Sequence, residues 1–381
     1  MKPQKICIIG DGLTGLTTAT ILAKANIDID LYCGIKKKSN NLDKRTTAIS
    51  ESNFQYLKNR LNFKNNGIFW PCKQTNLFFE DKKKIINFLN FNETYKNSMY
   101  IFKNESLKKI LNKIILTKKN IKLVKKNIKS INIDDSYVIS EKKKIFYDLI
   151  ILSIGSISKF YSMITSDRSI KKNYKEIAVT GIVEHKSQIK NASQFFLKEG
   201  PLAILPFYKN KFSTVWSVNI NFFRSNEKNF KKVLMEKLKT ILKNKKIINI
   251  KHLQSFPINL DLKIKYFKKN IIILGDGLHA VHPMAGQGFN LVLRDIKKFS
   301  ELTSKTLKLG IKFKDSFLLK NFYDARKPEN NMFGLGINLT NIFFKNNKYF
   351  SIFKKTIIKN VSNFSFIKKT SQSIADKGIS F

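Results

Sequence analysis

The sequence predicts an α/β protein in which a Rossmann-like, nucleotide-binding domain carries an inserted β-sheet domain and a helical C-terminus. Three observations predict this fold class. A glycine cluster follows an apolar run at the N-terminus, and a second glycine cluster follows another apolar run near residue 275. The intervening chain contains several short strand patterns, and from Phe317 onward the pattern is mostly helical.

The first glycine cluster lies in a β-α-β pattern. Lys5–Ile9 predict a short strand, Gly10-x-Gly12-x-x-Gly15 follows it, a helix is predicted over Leu16–Ala25, and Ile29–Cys33 predict a second strand. In this setting the glycines permit a tight turn, close approach of the backbone to a pyrophosphate, and close packing of the helix on the strand. The segment predicts nucleotide binding, with a merely structural glycine turn as the alternative.

The second cluster, residues 275–290, is the most informative stretch. Ile271–Leu274 lead into Gly275 and Asp276, and Gly286-Gln287-Gly288 open a run with helical periodicity. A carboxylate at the end of a strand can hold a sugar hydroxyl. A glycine turn at a helix N-terminus presents N–H groups and a positive dipole end to an electron-rich ligand. The two clusters together predict one flavin dinucleotide held at both ends.

The elements between the clusters follow from periodicity. Residues 34–52 are expected to form a polar, basic loop that leads to a helix near Ser50–Arg60, and further helices are predicted over Glu105–Ile115 and Phe230–Leu242. The predicted strands are Asn76–Glu80 and Lys84–Phe88 as a hairpin, Ile121–Val124, Tyr147–Leu152, and, in a second, antiparallel sheet, Ile177–Glu184, Leu202–Phe207 and Phe212–Val218.

This order of elements predicts a discontinuous nucleotide-binding domain. Its parts are residues 1–75, 101–165 and 269–310, the last containing the Gly-Asp segment. The inserted substrate domain comprises a hairpin at 76–100 and the segment 166–268. Residues 311–381 are expected to form the C-terminal helices.

The formal charge of +44 arises from 71 lysines and arginines, only six of which are arginine. A nucleic-acid-binding protein usually clusters its charge and uses arginine to contact phosphates and bases, whereas these lysines are spread along the chain. We therefore expect no specific nucleic-acid partner. Attraction to an anionic membrane surface is a separate hypothesis. In the tail, Phe350, Phe353, Ile357 and Ile358 predict either an interfacial amphipathic helix or a helix packed on its own core.

The sequence predicts a cytoplasmic protein, with peripheral association at the inner face of the cytoplasmic membrane as an extension. It contains no apolar run of about 18 residues, and the first glycine cluster interrupts any apolar leader. Cys7, Cys33 and Cys72 show neither metal nor redox spacing. His279 and His282 are three residues apart, as on one helical turn, but no further ligand lies near them in sequence, so we expect no metal.

With these motifs placed, the chain resembles the class A FAD-dependent aromatic hydroxylases, and specifically their ubiquinone-biosynthesis branch. The resemblance implies the class A flavoprotein monooxygenase fold, with a Rossmann-like FAD-binding domain and an inserted β-sheet substrate domain. The segments that carry it are Gly10–Gly15, Asp43–Ser50 (D-x-R-x-x-A-[LI]-S), Gly67–Trp70, Gly200–Pro206 (G-P-x-A-[IL]-L-P), Val215–Ser217, Gly275–Asp295, and Tyr323 with Arg326.

The resemblance also implies the site residues. It implies that Asp276 binds the ribityl chain, that Pro283 lies against the isoalloxazine, and that the backbone of Gly286–Gly288 faces the ring edge where negative charge collects. Asn290 is expected to fix the turn or touch the ring. His282 and Pro283 are the flavin-proximal candidates for a catalytic role. The full cofactor-binding set is Gly10, Gly12, Leu13, Gly15, Arg45, Asp276, Pro283, Gly286, Gln287, Gly288 and Asn290.

The activity that the resemblance implies is that of an FAD-dependent monooxygenase. Such an enzyme uses NAD(P)H and O₂ to hydroxylate the aromatic ring of a polyprenylated phenol in ubiquinone biosynthesis. One alternative is a flavin-dependent hydroxylase or reductase of another apolar substrate. Another is a degenerate, non-catalytic subunit that binds a lipid precursor or partner enzymes of that pathway.

Three departures from the family pattern motivate these alternatives. Cys33 stands where the family usually has an acidic residue that holds the adenosine ribose, and Asp30 should point to the opposite face of its strand. Ile154 replaces the aspartate of the middle Asp-Gly motif. Gly277 stands where the family has another small residue after the Gly-Asp pair, which is a milder change.

Overall fold

The computed structural model describes residues 3–34, 43–63, 67–82, 84–92, 97–156, 158–165, 168–187, 189–243, 247–345 and 365–378. Within these ranges the chain forms two large sheets and two three-stranded ones. The amphipathic segment around Phe350–Ile358 lies outside the described residues. No described helix has both the length and the apolar character that are needed to cross a bilayer.

The first large sheet is the predicted nucleotide-binding sheet. Its strands are β1 (Gln4–Ile9), β2 (Ile27–Tyr32), β8 (Ile121–Val124), β12 (Leu149–Leu152), β18 (Phe267–Lys268) and β19 (Ile271–Ile273), in the order β18-β19-β12-β1-β2-β8. All neighbours are parallel except β18 and β19. The central strands β1 and β12 are almost completely buried because helices or loops cover both faces.

The helices of the described chain are α1 (Leu13–Leu22), α2 (Glu51–Leu61), α3 (Asn104–Leu116), α4 (Ser162–Thr165), α5 (Ile220–Asn226), α6 (Phe230–Ile241), α7 (Gln287–Lys308), α8 (Leu318–Phe344) and α9 (Ser365–Lys377). Helix α1 packs against α3 and α7, and α7 packs against α8. The helices predicted over residues 16–25, 50–60, 105–115 and 230–242 are confirmed, with ends that differ by a few residues.

The second large sheet has eight strands. They are β5 (Gln74–Asp81), β6 (Lys84–Asn92), β13 (Ser169–His185), β14 (Ala192–Leu197), β15 (Gly200–Pro206), β16 (Lys211–Asn219), β17 (Ile247–Lys263) and β20 (His279–Ala280), in the order β20-β17-β13-β16-β15-β14-β5-β6. The predicted hairpin corresponds to β5 and β6. The strands predicted over 177–184, 202–207 and 212–218 correspond to β13, β15 and β16, and their antiparallel pairing is confirmed. Elsewhere in this sheet, β14 and β5 run parallel. On one face of this sheet, the Trp216 and Phe230 rings pack with α5 and α6.

The prediction of a loop over residues 34–52 was wrong at the C-terminal end of that segment. Thr46–Ser50 form a strand, β3, which pairs with β7 (Met99–Lys103), and β7 in turn pairs with β4 (Trp70–Cys72). Ala48 and Ile49 are buried in this small sheet, so pairing and burial override the polar flanking sequence. The other three-stranded sheet contains β9 (Ile128–Asn132), β10 (Tyr137–Ser140) and β11 (Lys143–Phe146).

Candidate active site

A cavity of about 700 Å³ lies between the two large sheets. On one side it is lined by the residues that follow the C-terminal ends of β1, β12 and β19. On the other side it is lined by residues of β13 to β16 of the eight-stranded sheet. Ligands of open α/β sheets bind beyond the carboxyl ends of the parallel strands, and the cavity lies there.

The three glycines of the first cluster have different surroundings. A Cβ atom on Gly10 would lie 2.2 Å from the Ser153 carbonyl oxygen, and a Cβ on Gly15 would lie 1.9 Å from the Gly10 carbonyl oxygen. These two glycines therefore allow close packing of backbone on backbone. Gly12 lines the cavity together with Leu13, and a Cβ at Gly12 would meet nothing within 4 Å.

The second cluster places a helix N-terminus at the cavity. Gly286 has a left-handed backbone with φ of 64°, and the 22-residue helix α7 begins immediately after it. No side chain caps this helix, and its first turn contains no acidic residue. The free N–H groups and the positive end of the helix dipole therefore face the cavity at Gly286–Gly288. Asp276 is exposed and lines the same cavity.

Asn290 fixes the turn, which is one of its two predicted roles. Its Nδ2 donates to the carbonyl oxygens of Gly286 at 3.0 Å and Ala48 at 3.2 Å. Its Oδ1 accepts from the Ser50 N–H at 2.9 Å and from Asn53 Nδ2 at 2.8 Å. Because the buried Asn290 side chain bonds both to Gly286 and to residues of β3, it ties the glycine turn to that strand.

Arg45 lines the cavity and is paired with Asp43, a residue that the predicted cofactor-binding set omits. Its Nε lies 2.7 Å from Asp43 Oδ1, and Asn104 Nδ2 donates to Asp43 Oδ2 at 3.0 Å. Burial opposes ionisation of Asp43, but Arg45 and Asn104 outweigh it and hold the pKa of this carboxyl below its usual value. Asp43 also raises the pKa of Arg45, so this part of the wall holds an intact ion pair.

The two histidines do not share a helical turn, which corrects that interpretation. His279 begins strand β20, where it pairs with Leu262, and its Nε2 lies 2.6 Å from Asp295 Oδ2. His282 Nε2 lies instead 2.8 Å from Glu176 Oε2. Pro283 follows in the cavity wall. No group of three potential metal-binding His, Cys, Asp or Glu side chains occurs in the described part of the chain. Glu176 lies 106 residues away from His282, so no spacing signal indicated this pair.

The Asp295 carboxylate joins His279 to the C-terminal helices. Arg326 Nε donates to Asp295 Oδ1 at 2.6 Å, and Asn330 Nδ2 donates to the same oxygen at 3.1 Å. Burial opposes ionisation of Asp295, yet Arg326 and His279 lower its pKa. Arg326, which the sequence placed only in a late Tyr-x-x-Arg motif, thus stabilises the packing of α8 on α7.

Helix α9 contributes to the wall of the cavity, which the sequence did not predict. Gln372, Ala375 and Asp376 line it. The Asp376 side chain accepts from the Ser52 N–H at 2.8 Å, and its carbonyl oxygen accepts from Ser50 Oγ at 2.9 Å. The last turn of α9 is therefore bonded to the first turn of α2.

The end of the site nearest β2 lacks a free carboxylate in the described structure. Cys33 follows β2, and its thiol donates to the Leu31 carbonyl at 3.8 Å. Asp30 is buried and engaged, since its Oδ2 accepts from Tyr147 Oη at 2.7 Å and lies 2.9 Å from Lys5 Nζ. Asp30 therefore does not replace the family's acidic residue, as its position in the strand predicted.

Comparison with solved structures identifies proteins that have the same fold. The structure of pqsL, a probable FAD-dependent monooxygenase from Pseudomonas aeruginosa, superposes with a TM-score of 0.76 over 91% of this chain and 98% of that one, at 14% identity. The fold is that of the FAD-dependent hydroxylases. The fold class predicted from the sequence is confirmed.

Comparison of sequences identifies relatives in the predicted branch. The squalene epoxidase family matches residues 225–371. The ubiquinone biosynthesis monooxygenase COQ6 of Dictyostelium discoideum is 29% identical over 205 residues, which are 44% of this chain and 41% of that protein. The ubiquinone hydroxylase UbiL of Rhodospirillum rubrum is 28% identical over 162 residues, 41% of this chain and 37% of that protein. The chain thus spans about two fifths of the length of these relatives.

Proposed function

We propose that this chain is an FAD-dependent monooxygenase that uses NAD(P)H and O₂ to hydroxylate the ring of a polyprenylated phenol in ubiquinone biosynthesis. One observation carries the proposal: both glycine clusters and Asp276 converge on a single cavity that continues onto the eight-stranded sheet. The named activities of COQ6 and UbiL support the reaction class. In this proposal residues 1–75, 101–165 and 269–310 hold the cofactor, and residues 76–100 and 166–268 hold the substrate.

The residues around the cavity fit a flavin dinucleotide at its flavin and pyrophosphate end. Two buried polar atoms in the wall, Ser153 Oγ and Gln287 Oε1, have no hydrogen-bond partner among the described residues. Gly12 and Gly288 leave open space where a Cβ would stand. The volume of about 700 Å³ falls within the roughly 300–1,000 Å³ of cofactor and ligand sites. The fit is poorer at the adenosine end, where Cys33 offers no carboxylate.

Each site residue has a role in this proposal. Asp276 would bind the ribityl hydroxyls and Pro283 would pack against the ring, while the N–H groups of Gly286–Gly288 stabilise negative charge on the ring edge. Gly12 and Leu13 would lie against the pyrophosphate, Gly10 and Gly15 would allow the tight packing of the same turn, and Arg45 would approach the flavin. When bound, FAD supplies the electron transfer from NAD(P)H and the activation of O₂.

The substrate would bind against the eight-stranded sheet. The apolar part of the cavity wall on this side is formed by Leu77, Phe91, Phe196, Ala203, Leu205, Val215 and Phe256, and the polar residues beside it are Thr75, Thr180, Ser193, Gln194 and Ser213. An apolar wall suits an aromatic ring with a hydrocarbon substituent and keeps water away from the reacting atoms.

The first experiment is the visible absorption spectrum of the purified protein with and without added FAD. We expect the bands of oxidised flavin to remain with the protein through gel filtration. Conversion of a prenylphenol to a product with one additional oxygen atom, dependent on NADPH and O₂, then tests the reaction. A flavin-loaded protein that oxidises NADPH without converting any prenylphenol, but converts another aromatic compound, would favour the second enzyme hypothesis.

A non-catalytic subunit is the alternative that the structure supports most directly, because Cys33 and Ile154 replace two carboxylates and Asp30 is engaged elsewhere. In that function the cavity binds a lipid precursor, or the surface binds partner enzymes. A folded, colourless protein that does not take up FAD would support it. We also propose that the protein is cytoplasmic and associates peripherally with the inner face of the cytoplasmic membrane. Sedimentation with anionic vesicles tests this association.

A further inference from the structure

A second cavity of about 300 Å³ lies beside the large one. Glu176, Asn341 and Lys345 contribute to its lining, and Phe196 lines both cavities. One buried pair connects the two spaces, since His282 lines the large cavity and Glu176 lines the second. The contact between His282 Nε2 and Glu176 Oε2 is 2.8 Å long, and both side chains are almost completely buried.

A bulge in strand β13 orients Glu176. The pairing of β13 with β17 shifts register between Asn173 and Glu176, and Lys175 within the shift has a left-handed backbone with φ of 52°. Asn173 Oδ1 accepts from the Lys175 N–H at 2.8 Å and stabilises this irregular segment. Bulges bend a strand and redirect a side chain, often beside active sites. Here the bulge directs Glu176 inward, although several nearby lysines on the same strand are exposed.

The surroundings of Glu176 determine which nitrogen of His282 carries a proton. Burial opposes ionisation of Glu176, but hydrogen bonds from His282 and Lys345 lower its pKa, so it is a carboxylate at neutral pH. Lys345 Nζ lies 2.5 Å from Glu176 Oε1. A carboxylate only accepts hydrogen bonds, so Nε2 of His282 must donate. In the neutral ring Nδ1 then has a lone pair, and this buried atom has no partner among the described residues.

We propose that His282 is the general base for a hydroxyl group of the substrate and that Glu176 is its positioning residue; the proposal rests on the proposed function. In the step, the O–H bond breaks, its electron pair stays on the oxygen, and the proton binds His282 Nδ1. The imidazolium is stabilised by Glu176 through Nε2–H and returns the proton when the product leaves. The ionised oxygen donates electron density to the ring, which favours attack by an electrophilic oxygen.

The neighbouring groups suit this assignment. Tyr174 packs edge-on against the His282 ring, with centroids 5.3 Å apart, and so restricts its rotation. Burial and the charge of Glu176 raise the pKa of Tyr174 to about 12, so its phenol stays neutral. Lys345 is about half exposed and neutralises Glu176 from the side of the second cavity. Among the described residues, the titratable groups in contact with His282 or Glu176 are Tyr174 of β13 and Lys345 after α8.

The first test is the tautomer of His282 in the protein without flavin. The chain has four histidines, so ¹⁵N-histidine spectra can be assigned with His282→Gln. We expect a protonated Nε2 and an unprotonated Nδ1 in the wild type, a mixture of tautomers in Glu176→Gln, and partial recovery in Glu176→Asp. Glu184→Gln is the matched control, because Glu184 lies on the same strand and pairs with Lys211 and Lys251. A protonated Nδ1 in the wild type, or no effect of Glu176→Gln, would overturn the proposal.

The second test is the pH profile of hydroxylation. We expect His282→Gln to lower product formation about 10²- to 10⁴-fold while FAD affinity is retained, and to abolish the decline of activity at acidic pH. Glu176→Gln should displace that acidic limb, whereas Glu184→Gln should leave it unchanged. An intact acidic limb in His282→Gln would show that another group is the base. If wild-type protein hydroxylates no phenol, the proposed function fails, and the tautomer result still decides whether Glu176 orients His282.

Discussion

A Cβ atom on Gly277 would lie 2.5 Å from Tyr161 Oη. That hydroxyl donates to the Gly155 carbonyl oxygen at 2.6 Å, so the tyrosine cannot move without losing a hydrogen bond. The glycine that departs from the family pattern after the Gly-Asp pair therefore has a packing partner. Tyr161 lies in the segment that follows β12 and Gly277 in the turn that follows β19, so this contact joins the segments after two neighbouring parallel strands.

Gly277→Ala should destabilise the protein by about 1–3 kcal/mol, because an overpacked methyl group forces its neighbours to shift. Urea unfolding would measure the change. Gly336→Ala is the matched control, since a Cβ there meets nothing within 4 Å and the residue lies in helix α8. We expect the control to be stabilised by about 0.5–1 kcal/mol. Equal stability of Gly277→Ala and the wild type would contradict this account of the glycine.

Cys33→Glu should tighten FAD binding, because it restores a carboxylate where the family binds the adenosine ribose. A hydrogen bond to a charged group is worth roughly 1.5–3 kcal/mol, which corresponds to a Kd lower by about 10- to 150-fold. Quenching of flavin fluorescence gives the Kd. Cys33→Gln has the same size without the charge and should gain little. An equal gain in both variants would mean that volume, and not the carboxylate, is responsible.

Acid should destabilise the protein partly through Asp295. Its pKa is lower in the folded chain, where Arg326 and His279 outweigh burial, than in the unfolded chain, where it is about 3.9. The stabilisation is therefore present above pH 4 and is lost as the pH falls through the folded value.

Asp295→Asn tests this contribution to the pH dependence. At pH 7 it should cost about 1.5–3 kcal/mol, because it removes one of the two carboxylates that pair with buried Arg326, the other being Glu329. The free energy of unfolding should then fall less steeply below pH 4 than in the wild type. Exposed Asp135 provides the control Asp135→Asn, which should match the wild type. Parallel pH curves for the wild type and Asp295→Asn would refute the assignment.

Asp376→Ala should loosen the contact between α9 and α2, because it removes the acceptor for the Ser52 N–H. Losing an acceptor at the first turn of a helix costs about 0.5–2 kcal/mol. Hydrogen exchange of the Ser52 amide should accelerate accordingly. Ser373→Ala, at an exposed position of α9, should have no effect on that amide. Unchanged exchange in Asp376→Ala would show that the carboxylate does not hold α9 in place.

The parallel sheet could be predicted because its central strands are apolar runs next to glycine turns. Strand β17 could not be predicted, because lysines and a glutamine interrupt the apolar pattern of Ile247–Lys263. Its stability comes from the long pairing with β13. Strand β3 was missed for the same reason, because its pairing with β7 is invisible in a short polar segment. Periodicity detects burial on one face, but it does not detect which distant strand will pair.

The residues of the candidate site also fall into a group that the sequence could predict and a group that it could not. Residues in local motifs, such as Asp276 and Gly286, were predicted and line the cavity. Glu176 and Asp376 were not, because each reaches the site through contacts with residues 106 and 324 positions away. A bulge orients Glu176 and the C-terminal helix α9 carries Asp376, and neither arrangement has a characteristic spacing in the sequence.

The strand order of the parallel sheet has a consequence for synthesis on the ribosome. Strand β12 lies between β1 and β19, so the sheet stays incomplete until residues 271–273 have been made. At about 5–20 residues per second this takes on the order of tens of seconds. During that time the apolar strand β12 lacks one of its two neighbours and is prone to aggregate. The net charge of +44 opposes this, because nascent chains of like charge repel each other.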